Sequence, residues 1–415
     1  MREQRVFYGW WIVLASVLIA MITGAFFYGI TFFVDPMAEE FGWSHATIMW
    51  AVSLRTIELG IAAPIVGFAV NRWGPRRLLV GGGLMGGIGF ILLSQTNSLP
   101  MFYAVFVFVA LGFSACGSVV LTTVVANWFR RRVGLAMGLT LAGFGLGGIL
   151  MPGVGWLVDA HGWQTASIVL GAGTCVAVPL LGSIIRRRPE DCGYVPDGTA
   201  VPSAQSASND AGASGPELSP RQALRAQAFW FLAVSAAIGF MGMNAVTALV
   251  ASYLDDEEAS TGMIWVTTTF LPLASILGRM GLGWAGDIYS KKGILAWSVV
   301  LQIIGLGAFC YAPNTAAIAL FLITFGIGYG GAIALRPAIQ RDYFGRSAFG
   351  AIQGLLMGVV TLGGVIGPVV AGWVFDSGGD YQPAWIAFAI ANFLSIPLVL
   401  AMRRPGTSKA PRQHR

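Results

Sequence analysis

Long apolar runs separated by short polar segments fill almost the whole chain. The first run extends from near Tyr8 to near Val34 and is too long for the apolar region of a cleaved signal peptide, so we expect it to remain as a span. Eleven more runs follow, at roughly 46–71, 78–95, 101–127, 133–158, 163–185, 228–254, 261–286, 293–312, 315–338, 349–375 and 383–402. A helix of about 20 apolar residues crosses the hydrocarbon core of a bilayer. The pattern therefore predicts an all-α integral membrane protein with twelve transmembrane helices.

One long polar segment interrupts this pattern. From Arg186 to about Ala226 the chain is rich in Ser, Ala, Pro, Gly and Asp. Such a composition cannot bury a core and is typical of a flexible linker. We therefore divide the chain into an N-terminal half (1–185), a cytoplasmic linker (186–227), a C-terminal half (228–402) and a cytoplasmic tail (403–415).

The two halves repeat each other at an offset of 216 positions. The matching residues are Gly67, Asn71 and Arg76 with Gly283, Asp287 and Lys292, and Gly134, Gly138, Gly147, Gly148 and Pro152 with Gly350, Gly354, Gly363, Gly364 and Pro368. A single register held over spans two to five indicates a duplication. Related halves are typical of transporters that bind their substrate at the interface between repeats. The repeat predicts two pseudo-symmetric six-helix bundles.

The charges give the orientation. Only 11% of residues are charged, against about 25% in an ordinary soluble domain. With the N-terminus in the cytoplasm, all 25 Lys and Arg residues except Arg55 and Arg279 fall in cytoplasmic segments, Arg336 among them. This positive-inside bias predicts that both termini are cytoplasmic. The net charge of +6 thus reflects topology and not a nucleic-acid partner, which would need a solvated basic patch.

The rarer residue types argue against other classes of protein. The four cysteines and three histidines have no disulfide or metal-ligand spacing, and no nucleophile–base pair or phosphate loop is present. We therefore do not expect an enzyme, a cofactor or a metal. A membrane sensor would need an added folded domain, for which the linker is too short and polar. The two-fold repeat and the gate motifs argue against a channel.

The junction of spans two and three carries Gly67-x3-Asn71-Arg72-x-Gly74-x-Arg76-Arg77, and its repeat carries Gly283-x3-Asp287 with Lys291 and Lys292. These motifs resemble the loop signature of the major facilitator superfamily, in which two six-helix halves move small solutes. The resemblance implies that a set of polar residues holds the cytoplasmic gate shut in the outward-open state: Asn71, Arg72, Arg76, Asp287 and Lys292. Because Asn71 replaces the usual acidic residue, we expect a weaker latch in the first half.

Finer motifs resemble the monocarboxylate transporters and the oxalate/formate antiporters. They are Tyr8-Gly9-Trp10-Trp11, Phe32-Phe33-Val34-Asp35-Pro36-Met37, Asp342-Tyr343-Phe344-Gly345-Arg346 and Gly278-Arg279-x7-Asp287. The resemblance implies that Arg279 binds a substrate carboxylate and that a lactate-like monocarboxylate moves with a proton. Tyr28 and Ser275 stand where the animal relatives have the lysine and aspartate of their proton relay. Anion exchange therefore stays open as the alternative.

Arg279 carries the most chemical information. An arginine at mid-membrane costs about 2.5–3.5 kcal/mol on insertion scales. Glu58 is the only clear acidic candidate within the spans, so Arg279 lacks an evident fixed partner. A guanidinium forks onto a carboxylate with two parallel hydrogen bonds. We therefore expect a small organic anion to bind at Arg279.

Other polar residues are weaker candidates for the same site. Tyr28 and Asn244 are repeat partners on spans that line the cavity in this fold, and Tyr329 and Ser275 complete the predicted substrate-binding set. Arg55 and Glu58 lie three residues apart on one helix and can pair. Two alternatives stay open, namely Arg55 as a second anion contact and Glu58 as the group that carries the coupling proton. We expect a monomer in a bacterial-type inner membrane, with a small carboxylate, protons and lipid as its partners.

Overall fold

The computed structural model describes residues 7–198 and 217–405, and fifteen α-helices account for most of these ranges. In chain order they are α1 (Tyr8–Gly29), α2 (Thr31–Phe41), α3 (His45–Trp73), α4 (Pro75–Leu93), α5 (Leu99–Ser114), α6 (Ser118–Trp128), α7 (Val133–Leu146), α8 (Met151–Ile184), α9 (Pro220–Arg225), α10 (Gln227–Asp256), α11 (Thr261–Ile288), α12 (Lys291–Phe309), α13 (Thr315–Phe344), α14 (Phe349–Gly378) and α15 (Gln382–Ala401). The middle of the predicted linker (199–216), the first six residues and the tail from 406 lie outside the described residues.

Within the described ranges, ten helical stretches are long and apolar enough to cross a membrane. One of them, Val133–Ile184, has 52 residues, more than twice the length of a single crossing. Gly162 interrupts it with a φ of 80°, which breaks the helical geometry between the predicted fifth and sixth spans. The helix α3 is not among the ten, although its 29 residues are long enough to cross. The multi-pass helical architecture is confirmed, while the count of twelve spans and the side of the termini stay predictions.

The halves meet along two helix pairs that the repeat relates to each other, α7 with α11 and α3 with α14. Glycines permit the close approach in both pairs. A methyl group on any of four glycines would overlap a carbonyl across the interface: Gly134 with Gly283, Gly67 with Gly350, Gly138 with Arg279, and Gly354 with Ala63. Small residues allow helix backbones to come this close in a membrane. These regularly spaced glycines thus form part of the contact surface between the halves.

The halves also touch where the basic loops lie, which we call the basic end (the segments around Arg72, Arg130, Lys291 and Arg346). There α6 packs against α13 and α14, and α7 packs against α13. The Nε of Arg341 on α13 donates to the carbonyl of Ala126 on α6 at 2.9 Å. The structure is therefore closed at the basic end.

The described ends of the predicted linker contact the basic end of the bundle, while its flexibility stays a prediction. Asp197 accepts hydrogen bonds from the backbone amides of Arg130 and Arg131 at 2.8–3.1 Å. Glu190 forms a salt bridge of 2.7 Å with Arg346, and Glu217 accepts from the amide of Ser347 at 2.8 Å. Acidic side chains thus attach both ends of the linker to the basic end of the bundle.

Candidate functional site

Arg279 lies on α11 at the interface between the halves, and only 6% of its surface is exposed. Its Nη1 donates a hydrogen bond of 2.6 Å to the carbonyl of Leu141 on α7, while its Nε has no partner. Gly145 on the same helix lies next to the guanidinium, because a methyl group there would be 3.7 Å from Nη1. No carboxylate lies within 4.0 Å of Arg279 in the part of the chain that the structure describes. The side chain is therefore a buried cation with spare donors.

Two tyrosines lie beside this guanidinium. The Cζ of Arg279 is 5.9 Å from the centroid of the Tyr329 ring, on α13. The Tyr329 hydroxyl is within electrostatic range of Arg279 and of Tyr28 on α1. Tyr28 is 42% exposed, so its ring is still accessible. The predicted residues Arg279, Tyr28 and Tyr329 are thus brought together from three helices and both halves.

Asn244 and Ser275 have internal contacts instead. The Nδ2 of Asn244 donates to the carbonyl of Gly364 at 2.6 Å, which ties α10 to α14. The hydroxyl of Ser275 donates to the carbonyl of Pro272 at 2.7 Å within α11, and Ser275 is only 2% exposed. Both side chains hold helices in place in this conformation, and their part in substrate binding stays a prediction.

The expected ion pair of Arg55 and Glu58 is not formed. Among the described residues, no nitrogen–oxygen distance within 4.0 Å joins them. The Cζ of Arg55 lies 3.7 Å from the ring centroid of Phe27, and its Nη1 contacts the Phe27 carbonyl at 3.5 Å. Glu58 instead accepts a hydrogen bond of 3.1 Å from Ser114 on α5. The two side chains part because each finds a partner on a different neighbouring helix.

The charged groups of Arg279, Arg55 and Glu58 all lie near helix ends inside the N-terminal half. Arg55 reaches the last turn of α1, and Glu58 reaches the last residue of α5, while Arg279 bonds to α7 shortly before its end at Leu146. The last carbonyls of a helix lack intrahelical donors and carry a partial negative charge. A cation suits such a position, so the end of α1 explains in part why Arg55 is tolerated there, whereas Leu141 lies five residues before the end of α7 and Glu58 carries the opposite charge.

The charge pattern assigns Arg336 to a cytoplasmic segment, and that side of the membrane stays a prediction, but the structure shows that its side chain is buried. It lies inside α13, eight residues before the helix ends at Phe344, and is 7% exposed. Its Nη2 is 3.5 Å from the carbonyl of Ser235 on α10, and its Nε has no partner. The apolar run predicted at 315–338 already includes Arg336, so its burial could have been expected from the bounds of that run.

Asp287 joins the two halves at the basic end. Its carboxylate accepts hydrogen bonds of 2.7 and 2.8 Å from the backbone amides of Gly134 and Leu135. These amides belong to the first turn of α7, where free N–H groups and the helix dipole favour an anion. Asp287 of the C-terminal half therefore caps a helix of the N-terminal half.

The other predicted gate residues act differently. The amide oxygen of Asn71 lies beside Gly350 at the start of α14, and the Asn71 carbonyl accepts 2.6 Å from Arg187. Lys292 donates to the carbonyl of Leu400 at 2.7 Å, within its own half. Arg72 and Arg76 are exposed. Their role in gating stays a prediction.

The sequence model of the Major Facilitator Superfamily matches residues 16–264 and 258–415. The chain belongs to this superfamily. It is 27% identical to monocarboxylate transporter 12 of Xenopus laevis, over 95% of this chain and 88% of that protein. It is 25% identical to the oxalate:formate antiporter of Oxalobacter formigenes, over 92% of this chain and 90% of that one. These relatives are transporters and not enzymes, and they confirm the resemblance to the monocarboxylate transporters.

A solved structure shows the same fold. The proton:xylose symporter XylE superimposes with a TM-score of 0.73 over 95% of this chain and 96% of that one, at 14% identity. At this identity the likeness concerns the fold alone. The two-half architecture predicted from the repeat is therefore that of known transporters, while the chemistry of the site depends on this chain's own residues.

Proposed function

We propose that this protein is a secondary active transporter of small organic anions, and more narrowly a symporter of a lactate-like monocarboxylate with a proton. It would work as a monomer in a bacterial cytoplasmic membrane by alternating access, without a cofactor. The observation that carries the proposal is Arg279, a guanidinium that is 6% exposed at the interface of the halves and has no carboxylate partner among the described residues.

Arg279 would bind the substrate carboxylate and sense it at the same time. Its present bond goes to the neutral carbonyl of Leu141, and a carboxylate offers two charge-assisted hydrogen bonds in its place. Because Leu141 belongs to the other half, a change of partner at Arg279 alters a contact between the halves. Substrate binding would in this way favour the rocking motion that alternating access requires.

The coupling proton would travel by a route that differs from that of the animal relatives. Tyr28 and Ser275 hold the places of their lysine and aspartate, so both the amine and the carboxylate of that relay are absent at these positions. The proposed route is that the proton and the carboxylate arrive together as the acid, or that Glu58 carries the proton. Glu58 bonds to Ser114 and not to Arg55, which leaves its carboxylate without an ion pair.

Uptake of radiolabelled lactate into proteoliposomes tests the proposal. An alkaline interior should drive accumulation, and collapse of the pH gradient should abolish it. Competition by a panel of mono- and dicarboxylates, with xylose as a neutral control, would then define the substrate class. Equal inhibition by xylose, or no uptake of any small acid, would contradict the proposal.

Carboxylate exchange is the second candidate. It is favoured by the loss of the relay pair at Tyr28 and Ser275, and one relative is named as an oxalate:formate antiporter. Vesicles preloaded with unlabelled acid would distinguish the two. Exchange predicts rapid uptake that requires the internal acid and ignores the pH gradient, whereas symport predicts uptake into empty vesicles that depends on that gradient.

A further inference from the structure

Arg336 is a second buried guanidinium for which the proposed transport cycle has no role. It is 7% exposed, its Nε lacks a hydrogen-bond partner, and its Nη2 makes a long contact of 3.5 Å with the carbonyl of Ser235. None of the salt bridges in the described part of the chain includes it. An unpaired charge in a protein interior is strongly destabilising. A function that uses this charge would explain why the chain carries it.

The surroundings of Arg336 are small and polar. Gly239 on α10 faces it, and a methyl group there would come 2.5 Å from its Nη2 and 3.7 Å from the Oε1 of Gln302. Gln302 on α12 is itself only 1% exposed. The guanidinium therefore lies among neutral polar groups of the C-terminal half, none of which balances its charge.

Arg336 also lies nearer to the basic end than Arg279. Gly278 packs against the backbone of Ile327 and Gly331 packs against Leu282, so the level of Arg279 on α13 falls near residue 328. The eight residues from there to Arg336 correspond to roughly 12 Å along a helix that rises 1.5 Å per residue. The Tyr329 hydroxyl is within electrostatic range of both guanidinium groups. The two cations thus follow one another along the path from the centre to the basic end.

The closed basic end covers this part of α13. Arg341, five residues further on, donates to the Ala126 carbonyl of the N-terminal half, and α7 packs against the same helix. When these contacts separate in an alternating-access cycle, water and substrate reach α13 from that side. Arg336 would then be the first unpaired cation that a carboxylate at the centre can meet on its way out.

We propose that Arg336 is a second substrate-binding residue, which takes the carboxylate from Arg279 when the basic end opens. The inference rests on the proposed transport of small organic acids and adds a second binding position for the substrate. The proposal predicts that substrate affinity changes on one side of the membrane only, because Arg336 contributes to binding from the basic side, while Arg279 contributes from both sides.

Sided transport kinetics test this. Radiolabelled lactate is supplied to right-side-out and to inside-out vesicles that contain the wild-type protein, Arg336→Gln or Arg279→Gln. For Arg336→Gln we expect the KM at the basic side to rise about tenfold or more, since a charge-assisted hydrogen bond is lost, while the KM at the other side changes less than about twofold. Arg279→Gln should weaken transport from both sides.

Asn392→Leu serves as the matched control, because Asn392 is equally buried in the same half and also has an unpartnered atom, its Oδ1. It should leave both KM values unchanged. A symmetric rise for Arg336→Gln, or unchanged values in a folded variant, would overturn the proposal. If Arg336→Gln does not fold, Arg336→Lys keeps the charge without the fork and should show the same asymmetry more weakly. Absence of wild-type lactate flux would instead contradict the proposed function.

Discussion

The two halves have kept the same backbone contacts but different charges. Gly138 meets the carbonyl of Arg279 in one interface, and its repeat partner Gly354 meets the carbonyl of Ala63 in the other. The position that is arginine in the C-terminal half is thus alanine in the N-terminal half. Backbone packing limits both copies to small residues at the contact, whereas the outward side chain is free to differ.

The gates show the same difference. Asp287 caps the start of α7 with two hydrogen bonds, while Asn71 lies at the start of α14 without a full negative charge. A carboxylate at a helix N-terminus gains from the helix dipole, and an amide gains much less. The repeat thus preserves the backbone contacts between the halves, while the charged side chains at equivalent positions differ. Four substitutions test the consequences of this difference.

The largest effect is expected for Arg279→Ala. Removal of the charge-assisted hydrogen bonds to a carboxylate should lower uptake of radiolabelled lactate about hundredfold or more. The protein should still insert, since Arg279 forms no ion pair among the described residues and its short hydrogen bond goes to the neutral carbonyl of Leu141. Arg55→Gln is the matched control, because Arg55 is buried to a similar degree in the other half. Equal loss of uptake in both variants would contradict the assignment of the substrate carboxylate to Arg279.

Asp287→Asn makes the C-terminal gate chemically like the N-terminal one. The cap on α7 loses its charge, so the closed basic end should weaken by about 1–2 kcal/mol. Thiol labelling of Ala126→Cys in inside-out vesicles, in a background without the four native cysteines, should speed up accordingly. Asp35→Asn is the control, since Asp35 pairs with His45 inside one half and should leave the labelling rate unchanged.

Asn71→Asp is the reverse experiment. It places a carboxylate at the start of α14, beside Gly350, and should strengthen the closed basic end by about 0.3–1 kcal/mol. Labelling of the same reporter cysteine should slow a few-fold, and turnover should fall because opening becomes harder. An unchanged labelling rate would mean that Asn71 does not act on the α14 terminus.

The smallest effect concerns the linker that joins the halves. Burial alone would raise the pKa of Glu217, but hydrogen bonds from Ser347 and Arg346 and the charge of Arg346 outweigh it and lower the pKa below 4.5. The anchor is therefore fully present above pH 4.5 and is lost as the pH falls through the lowered value. Because Glu217 is partly exposed, we expect less than about 1 kcal/mol.

Hydrogen exchange of the Ser347 amide measures this anchor. At neutral pH, Glu217→Gln should raise the exchange rate a few-fold, and the wild type should approach the variant only in acid, after correction for the intrinsic pH dependence. Glu190→Gln is the control, because Glu190 contacts only the side chain of Arg346. Similar exchange in all three proteins would show that Glu217 does not protect the Ser347 amide.

The sequence alone determined the class of protein and the form of its halves. In a bilayer, an apolar run of about 20 residues satisfies its backbone hydrogen bonds by forming a helix. The 216-residue repeat includes Gly67, Gly134, Gly138 and Gly354, which lie at the interface between the halves. Arg279 was predictable as well, because an arginine in an apolar run without a nearby acid stands out. These features depend on local composition and spacing, which the chain displays directly.

Only the tertiary structure decided which partner each polar group has. Glu58 bonds to Ser114 and not to Arg55, Asp287 caps the other half, and Arg336 lies buried beside α10. Each of these contacts joins residues far apart in the sequence, so spacing along one helix could not reveal them. Helical periodicity gives the face of a side chain, but the helix that covers this face is set by the packing of the whole bundle.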